Sequence, residues 1–159
     1  MLKYKMIHNG IDGKLYFLLK SIYASTEACV NINGQNTSWF KTRSGVMQGD
    51  CLSPTLFNLF INDLAVHLKD MNVGITIEET LIPILLYADD VVILANDESE
   101  MQKMLNIVNK WCDQWKMKVN MSKTKVMHFR EKKGNQCVKE IYLGRQVVEN
   151  TDCYKYLGV

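Results

Sequence analysis

Two adjacent aspartates, Asp89 and Asp90, are the residues of this sequence best suited to chemistry. The apolar runs 84–88 and 91–95 flank them directly, and both runs are short and rich in branched aliphatic residues. Such runs are typical of buried strands, so the pattern predicts a hairpin with both carboxylates at its tip. Buried neighbouring carboxylates repel each other and need a counter-charge, which favours a divalent cation bound through oxygen. The alternative is an ordinary solvated Asp-Asp turn.

Composition places the chain among globular proteins. It has 159 residues, of which 47% are hydrophobic and 23% are charged, which predicts one compact domain over 1–159. No apolar run approaches the roughly 20 residues of a membrane span, and residues 1–6 lack the apolar core of a signal peptide. Five cysteines without a C-x-x-C pair favour neither a disulfide framework nor a cysteine-rich zinc site. A reducing intracellular compartment is expected.

Charge is distributed unevenly along the chain. Residues 1–100 carry 7 Lys and Arg against 12 Asp and Glu, whereas residues 101–159 carry 12 against 5. The net charges of −5 and +7 add up to the formal +2 of the whole chain. An acidic segment followed by a basic one suits a metal site beside a polyanion. Ordinary solvated lysines on surface elements are the alternative.

Three helices are predicted to surround the aspartate hairpin. Apolar spacing predicts them over Asp12–Ser25, over Pro54–Met71 and from Asn96-Asp97 to Trp115. Ser53 is expected to cap the second helix, with Pro54 in its first position. Asp97 and Glu100 have the spacing of a capping box. The glycine-flanked loop Gly45–Gly49 precedes the second helix, whose N-terminal N–H groups can receive polar or anionic ligand groups.

Strands are predicted from short β-branched and aromatic runs bounded by turn residues. A first pair is expected with a loop that begins at Asn33-Gly34 and runs on through Thr37, and another around Gly144-Arg145. Residues 130–136 are expected to form a polar loop. The predicted strands are Ala28–Ile32, Trp39–Thr42, Ile75–Ile77, Leu81–Tyr87, Val126–Phe129, Lys139–Leu143, Gln146–Val148 and the terminal Tyr154–Val159.

Four motifs resemble those of reverse transcriptases and occur in the same order. Their sequences are most similar to those of enzymes from non-LTR, LINE-type retrotransposons. Residues 45–57 read GVMQGDCLSPTLF, close to the family pattern G-V-x-Q-G-D-x-L-S-P-x-L-F. Residues 87–90 read YADD, like the family's Y/F-x-D-D box. Lys123-Thr124-Lys125 after Asn120 resembles the next motif, and Tyr156-Leu157-Gly158 resembles the primer grip. The resemblance implies an α+β fold with a polymerase palm-like antiparallel sheet packed against helices.

The resemblance also implies roles for individual residues. Asp89 is expected to be the principal metal ligand and Asp90 an auxiliary one, for two Mg²⁺ ions with Mn²⁺ as a possible substitute. The nucleotide and template are expected to contact Gln48, Gly49, Tyr87 and Ala88. Lys123 is expected to act as a general acid or charge partner for pyrophosphate, and Lys125 competes for this role. Tyr156, Leu157 and Gly158 are expected to steady the primer.

The chain departs from the family pattern at its start. The family carries a further metal-binding Asp in an A-F-D-like segment upstream, but residues 1–11 contain no Asp. The sequence therefore predicts a partial palm, incomplete on its N-terminal side, that is inactive alone. A non-catalytic RNA- or DNA-binding remnant is the alternative function. A nucleotide cyclase is disfavoured because YADD replaces the expected G-G-[DE]-E-F-like turn, whereas group II intron maturases share the motifs.

The expected partners are an RNA template, a DNA primer and dNTPs, without a membrane. The expected location is intracellular, cytoplasmic or nuclear, within a ribonucleoprotein. The sequence makes no prediction of the oligomeric state.

Overall fold

The computed structural model describes residues 1–42, 45–129 and 139–158. The chain divides into two compact units, Met1–Asp63 and Leu64–Val159. The described residues combine four helices with six two-stranded pairs, five of them antiparallel, which confirms the α+β class. The assignment of residues 1–159 to one domain stays a prediction. No helix among the described residues is long and apolar enough to cross a membrane.

Two short helices build the core of the first unit. They are α1, Leu2–His8, which was not predicted from the sequence, and α2, Gly13–Ile22, which confirms the helix predicted over Asp12–Ser25 but ends three residues earlier. The buried core consists of Met6, Leu19 and Leu56. Further apolar side chains pack against this core and are partly buried: Leu2, Ile11, Tyr16, Tyr23, Val46 and Leu59. Only part of the apolar face of α2 is used in this core, because Leu19 is buried whereas Leu15 and Leu18 are 53% and 58% exposed.

One charged side chain is buried in the first unit. Lys5 is 2% exposed, pairs with the Asp63 carboxylate and donates a 2.9 Å hydrogen bond to the Phe60 carbonyl. Burial lowers the pKa of Lys5, although its pairing with Asp63 partly opposes this effect. Since an unpaired buried charge is costly, the ion pair makes this position tolerable for a lysine.

The strands of the first unit form two antiparallel pairs. β1, Glu27–Ala28, pairs with β4, Phe40–Lys41, and β2, Asn31–Ile32, pairs with β3, Gln35–Asn36. The predicted long loop over residues 33–37 is therefore wrong, as is a single strand over residues 28–32. Positive φ angles at Asn33 and Gly34, 52° and 85°, make a tight two-residue turn that suits a hairpin.

Helix α3, Ser53–Lys69, confirms the predicted helix over 54–71 to within two residues. The capping prediction is wrong, because Ser53 lies inside the first turn. Its hydroxyl donates a hydrogen bond to the Met47 carbonyl instead. The N-terminus of α3 is thereby tied to the preceding glycine loop.

Two antiparallel pairs precede the last helix in the second unit. β5, Ile75–Ile77, pairs with β6, Thr80–Ile82, and β7, Ile84–Tyr87, pairs with β8, Asp90–Ile93. The predicted continuous strand Leu81–Tyr87 is wrong because Pro83 separates β6 from β7. Proline has no N–H to donate to a strand ladder, so it ends one strand before the next begins.

Helix α4, Glu98–Trp115, confirms both the predicted bounds and the predicted cap. The Asp97 carboxylate accepts a 2.8 Å hydrogen bond from the Glu100 N–H, and the Glu100 carboxylate accepts one from Asn96 N–H at 2.9 Å. The predicted apolar stripe is buried at Met104, Leu105, Val108, Trp111 and Trp115. This helix therefore supplies the core of the second unit.

The last strands are shorter than predicted. β9, Lys125–Val126, pairs in parallel with β12, Glu149–Asn150, and Met127–Phe129 are not strand. β10, Tyr142–Leu143, and β11, Gln146–Val147, confirm the hairpin around Gly144-Arg145. Residues 154–158 are not strand either, and Leu157 and Gly158 form a turn with positive φ angles. The predicted polar loop 130–136 lies outside the described residues.

Candidate functional site

The Asp89–Asp90 pair lies on a tight β-hairpin in the second unit. Tyr87 faces Asp90 across the ladder, so Ala88 and Asp89 form a two-residue turn. Ala88 has a φ of 51°, in the left-handed region that such a turn requires. Of the two carboxylates predicted at the tip, only Asp89 lies in the turn, whereas Asp90 is the first residue of β8. The two side chains therefore leave the backbone from different positions.

Both aspartates are exposed, contrary to the predicted buried hairpin. Tyr87 and Leu85, which lie on the same face as Asp90, are 63% and 44% exposed. Burial is confined to the far end of the hairpin, where Ile84 is 7% exposed. The two carboxylates are therefore solvated, and burial gives them no need for a cation in this chain.

The donor chemistry still suits a hard cation. Neighbouring carboxylates offer the oxygen ligands that Mg²⁺ prefers. Neither Asp89 nor Asp90 forms an ion pair or side-chain hydrogen bond within the described residues. No group of three or more His, Cys, Asp or Glu side chains in that part of the chain is placed to hold a metal ion. The hairpin thus fits a part of a metal site.

Gln48 and Gly49 lie at the tip of a second turn, in the first unit. The Asp50 N–H donates to the Met47 carbonyl at 3.4 Å, which closes a four-residue turn with Gln48 and Gly49 in its centre. Gly49 has a φ of 83°, which an L-residue adopts only with strain. Both central residues are exposed. The turn therefore presents the Gln48 amide to solvent.

Side chains from outside the turn hold its two ends. Tyr23 donates a 2.8 Å hydrogen bond to one Asp50 carboxylate oxygen, and the other oxygen accepts from the Leu52 N–H at 3.3 Å. The hydrogen bond from Tyr23, followed by that from Leu52, lowers the pKa of Asp50. Burial raises the pKa of Tyr23. The Asp50 end of the turn is thus fixed by a neutral phenol bonded to a carboxylate.

The two competing lysines differ in their surroundings. Lys125 lies in β9, and its ammonium pairs with the carboxylate of Glu149, its partner residue in the register with β12. Lys123 is exposed in the turn that follows Asn120. A lysine engaged with a carboxylate is less suited to meet a phosphate. Lys123 forms no ion pair within the part of the chain that the structure describes, so it is the better placed of the two.

The site residues predicted from sequence divide between the two units. Gln48 and Gly49 belong to the first unit. The second contains the other residues: Tyr87, Ala88, Asp89, Asp90, Lys123, Tyr156, Leu157 and Gly158. Their functional roles stay predictions. Sequence reasoning missed Tyr23, which lies in none of the recognised motifs, and no periodic pattern distinguishes it from other core-facing aromatics.

Comparisons with known proteins give a consistent result. A family described as "Reverse transcriptase (RNA-dependent DNA polymerase)" matches residues 4–159. The RNA-directed DNA polymerase from the mobile element jockey of Drosophila melanogaster is 27% identical over 152 residues, which cover 92% of this chain. A Pol polyprotein from the type-1 retrotransposable element R2 of Popillia japonica is 37% identical over 91 residues, or 56% of this chain.

The matched segments are small parts of these relatives. The chain spans 16% of the jockey protein and 13% of the R2 polyprotein. A 149 kDa protein of the transposon TX1 from Xenopus laevis is 31% identical over 108 residues, which are 67% of this chain and 8% of that protein. All three relatives belong to mobile elements.

Proposed function

The chain belongs to the reverse transcriptase family, and from this premise we propose that it supplies part of the active site of an RNA-directed DNA polymerase of a non-LTR retrotransposon. The Tyr87–Asp90 hairpin is the observation that carries the proposal. It displays two adjacent carboxylates, Asp89 in a two-residue turn and Asp90 at the start of β8, without ion pairs to the described residues. Carboxylates held in this way suit a metal-assisted nucleotidyl transfer.

In the proposed reaction the primer 3′-hydroxyl oxygen forms a bond to the α-phosphorus of a dNTP and its proton passes to water. The bond from the α-phosphorus to the bridging α–β oxygen breaks, and pyrophosphate leaves. Two Mg²⁺ ions, for which Mn²⁺ is a possible substitute, supply acidification of that hydroxyl and neutralisation of charge on pyrophosphate. Asp89 is the principal ligand of this site and Asp90 the auxiliary one. A further aspartate, which the family resemblance implies and residues 1–11 lack, is needed to complete the ligand set.

The remaining roles fall to exposed side chains. Gln48 contacts the incoming nucleotide and the template base from its turn. Gly49, Tyr87 and Ala88 are assigned the same binding role. The Lys123 ammonium donates a proton or a charge-assisted hydrogen bond to pyrophosphate. The primer is steadied by the segment 156–158. The partners are thus an RNA template, a DNA primer and dNTPs, in an intracellular ribonucleoprotein of the cytoplasm or nucleus.

The metal role is tested by Mn²⁺ binding to the chain 1–159, measured by electron paramagnetic resonance. Wild type is expected to bind Mn²⁺ weakly, and Asp89→Asn and Asp90→Asn are expected to weaken binding further, because each loses an anionic oxygen ligand. Asp152→Asn is the matched control, since Asp152 is exposed in the same unit. Equal binding by all four proteins would contradict the proposal.

Primer extension tests the completeness of the site. The chain 1–159 is expected to extend no primer on poly(rA)/oligo(dT) with Mg²⁺ or Mn²⁺, because residues 1–11 lack the further aspartate and Mg²⁺ demands near-ideal octahedral geometry. Extension above that of an Asp89→Ala control would show that residues 1–159 suffice.

A second candidate function is nucleic-acid binding without catalysis. The net charge of +7 over residues 101–159 favours it, since phosphate contacts by lysine and arginine dominate such binding. RNA affinity that falls steeply with salt and is unchanged by Asp89→Asn and by Mg²⁺ would favour this candidate over the polymerase.

A further inference from the structure

Tyr23 lies outside every motif that the sequence resemblance involves, yet its hydroxyl bonds to the turn that carries Gln48. We propose that Tyr23 is a positioning residue for Gln48: through Asp50 it holds the Met47–Asp50 turn in the conformation that presents the Gln48 amide. The inference rests on the proposed nucleotide contact of Gln48. Tyr23, at the C-terminal end of α2, would act on this contact indirectly, through Asp50.

The position of Tyr23 is fixed at the end of α2. Tyr23 is the C-terminal cap of this helix, and its N–H donates to the Leu19 carbonyl at 3.2 Å. Its ring packs against the core formed by Met6, Leu19 and Leu56. With backbone and ring both held, the hydroxyl has little freedom, so its 2.8 Å bond to Asp50 ties the turn to the helical core.

Two further attachments act on the other end of the turn. Val46, just before the turn, packs against the same core. The Met47 carbonyl accepts from the Ser53 hydroxyl as well as from the Asp50 N–H. The Tyr23 hydroxyl also lies 3.5 Å from the Ser53 oxygen, which joins the two attachments. The turn is therefore anchored on both sides of Gln48 and Gly49.

Anchoring of this kind matters for a side chain that has to meet a ligand in one orientation. An exposed loop that must become ordered on binding pays conformational entropy, which lowers affinity. Gln48 is exposed and its neighbour Gly49 adds backbone freedom. The bond from Tyr23 reduces this freedom before any ligand arrives.

The hydroxyl can be removed without the ring. Tyr23→Phe keeps the ring and deletes the bond to Asp50 together with the 3.5 Å contact to the Ser53 oxygen. Tyr16→Phe is the matched control, because Tyr16 packs against the same core without bonding to the turn. Asp50→Asn weakens the same bond from its other end, and it decides the question if Tyr23→Phe fails to fold.

Nuclear magnetic resonance of the chain 1–159 provides the test. In Tyr23→Phe the amides of Asp50 and Ser53 are expected to exchange about fivefold faster, the effect of losing one hydrogen bond. The backbone order parameters of Gln48 and Gly49 are expected to fall from about 0.85 to below about 0.6. The carboxyl of Asp50 is expected to titrate at higher pH. Tyr16→Phe should show none of these changes.

Unchanged order parameters at Gln48 and Gly49 in Tyr23→Phe and Asp50→Asn would overturn the positioning role, as would an equal loss in Tyr16→Phe. A separate measurement addresses the proposed function. An RNA–DNA primer-template with its matching dNTP and Mg²⁺ is expected to shift the Gln48 and Gly49 resonances of wild type. Absence of that shift, with a loosened turn in Tyr23→Phe, would reject the nucleotide contact and leave the positioning intact.

Discussion

The turn that carries Gln48 and the turn that carries Asp89 are stabilised by different kinds of contact. Both are four-residue turns that expose a polar side chain. The Met47–Asp50 turn is held by side chains from elsewhere, namely Tyr23 and Ser53. The Tyr87–Asp90 turn is held by the backbone ladder of β7 and β8. Side-chain substitutions should therefore loosen the first turn, whereas the second should respond mainly to changes of backbone.

The difference extends to the root of the aspartate hairpin. Leu94 N–H donates to the Pro83 carbonyl at 2.9 Å, and the Asn96 side-chain Nδ2 donates to the Gly74 carbonyl at 2.7 Å. Gly74 has a φ of 131° and lies so close to Pro83 that only glycine fits. The hairpin is thus fixed at its base by a backbone hydrogen bond, by close backbone approach at Gly74 and by one side-chain amide, and its tip is exposed.

The largest effect is expected from Gly74→Ala. A Cβ atom there would lie 2.7 Å from Pro83 Cα and 2.9 Å from the Ile82 carbonyl oxygen. Because backbone must shift to relieve the clash, we expect a loss of about 3 kcal/mol in unfolding free energy. Urea denaturation measures this loss, and hydrogen exchange should show lost protection in β7 and β8.

Gly158→Ala is the control for that substitution. Gly158 belongs to the same unit and has a φ of 93°, but nothing lies within 4 Å of the added atom. It should cost about 1–2 kcal/mol, from the positive φ angle alone. Equal losses from both glycines would show that close approach at Gly74 is unimportant.

A smaller effect is expected from Ser53→Ala, which acts on the other turn. The Ser53 side chain is buried and donates to the Met47 carbonyl, so its loss should cost about 1 kcal/mol in unfolding free energy. Amide exchange at Asp50 should accelerate while the ladder of β7 and β8 keeps its protection. Ser21→Ala, on the exposed face of α2, should leave stability unchanged or slightly raised. Accelerated exchange in the aspartate hairpin instead would contradict the comparison.

The smallest expected effect is a difference in how much folding stability is lost at low pH, and it depends on Asp50. The hydrogen bond from Tyr23 lowers the pKa of Asp50 below its ordinary 3.8, so ionised Asp50 stabilises the fold above that value. This contribution is lost as the pH falls through the lower, folded-state pKa. Wild type should therefore lose more stability between about pH 5 and pH 2 than Tyr23→Phe, as measured by urea midpoints.

Asp89→Asn is the comparison variant for this pH series. Asp89 is exposed and has no side-chain partner among the described residues, so the urea midpoints of Asp89→Asn should follow those of wild type across the pH series. If Asp89→Asn lost less stability on acidification than Tyr23→Phe, the expected role of Asp50 as the acid-sensitive carboxylate would be contradicted.

Local signals in the sequence predicted the elements whose causes are local. Helix α4 follows from its apolar stripe and from the spacing of Asp97 and Glu100, and both were confirmed. Family membership follows from motifs that are read directly in the sequence, and it too was confirmed. One error is itself local, because the Asn33-Gly34 signal makes a two-residue turn between β2 and β3 and the longer predicted loop was wrong. The error at Asp89 and Asp90 is not local, since their exposure depends on what packs around the whole hairpin.

The sequence alone determined that this chain carries adjacent carboxylates between two strands, a glutamine between two glycines, and the order of motifs that identifies its family. These are properties of residue type and spacing. Only the tertiary structure decided that Asp89 and Asp90 are exposed, that Lys125 is engaged by Glu149, and that Tyr23 anchors Asp50. Each of these depends on contacts between residues 24 to 27 positions apart or on packing around a whole hairpin, which no local pattern encodes.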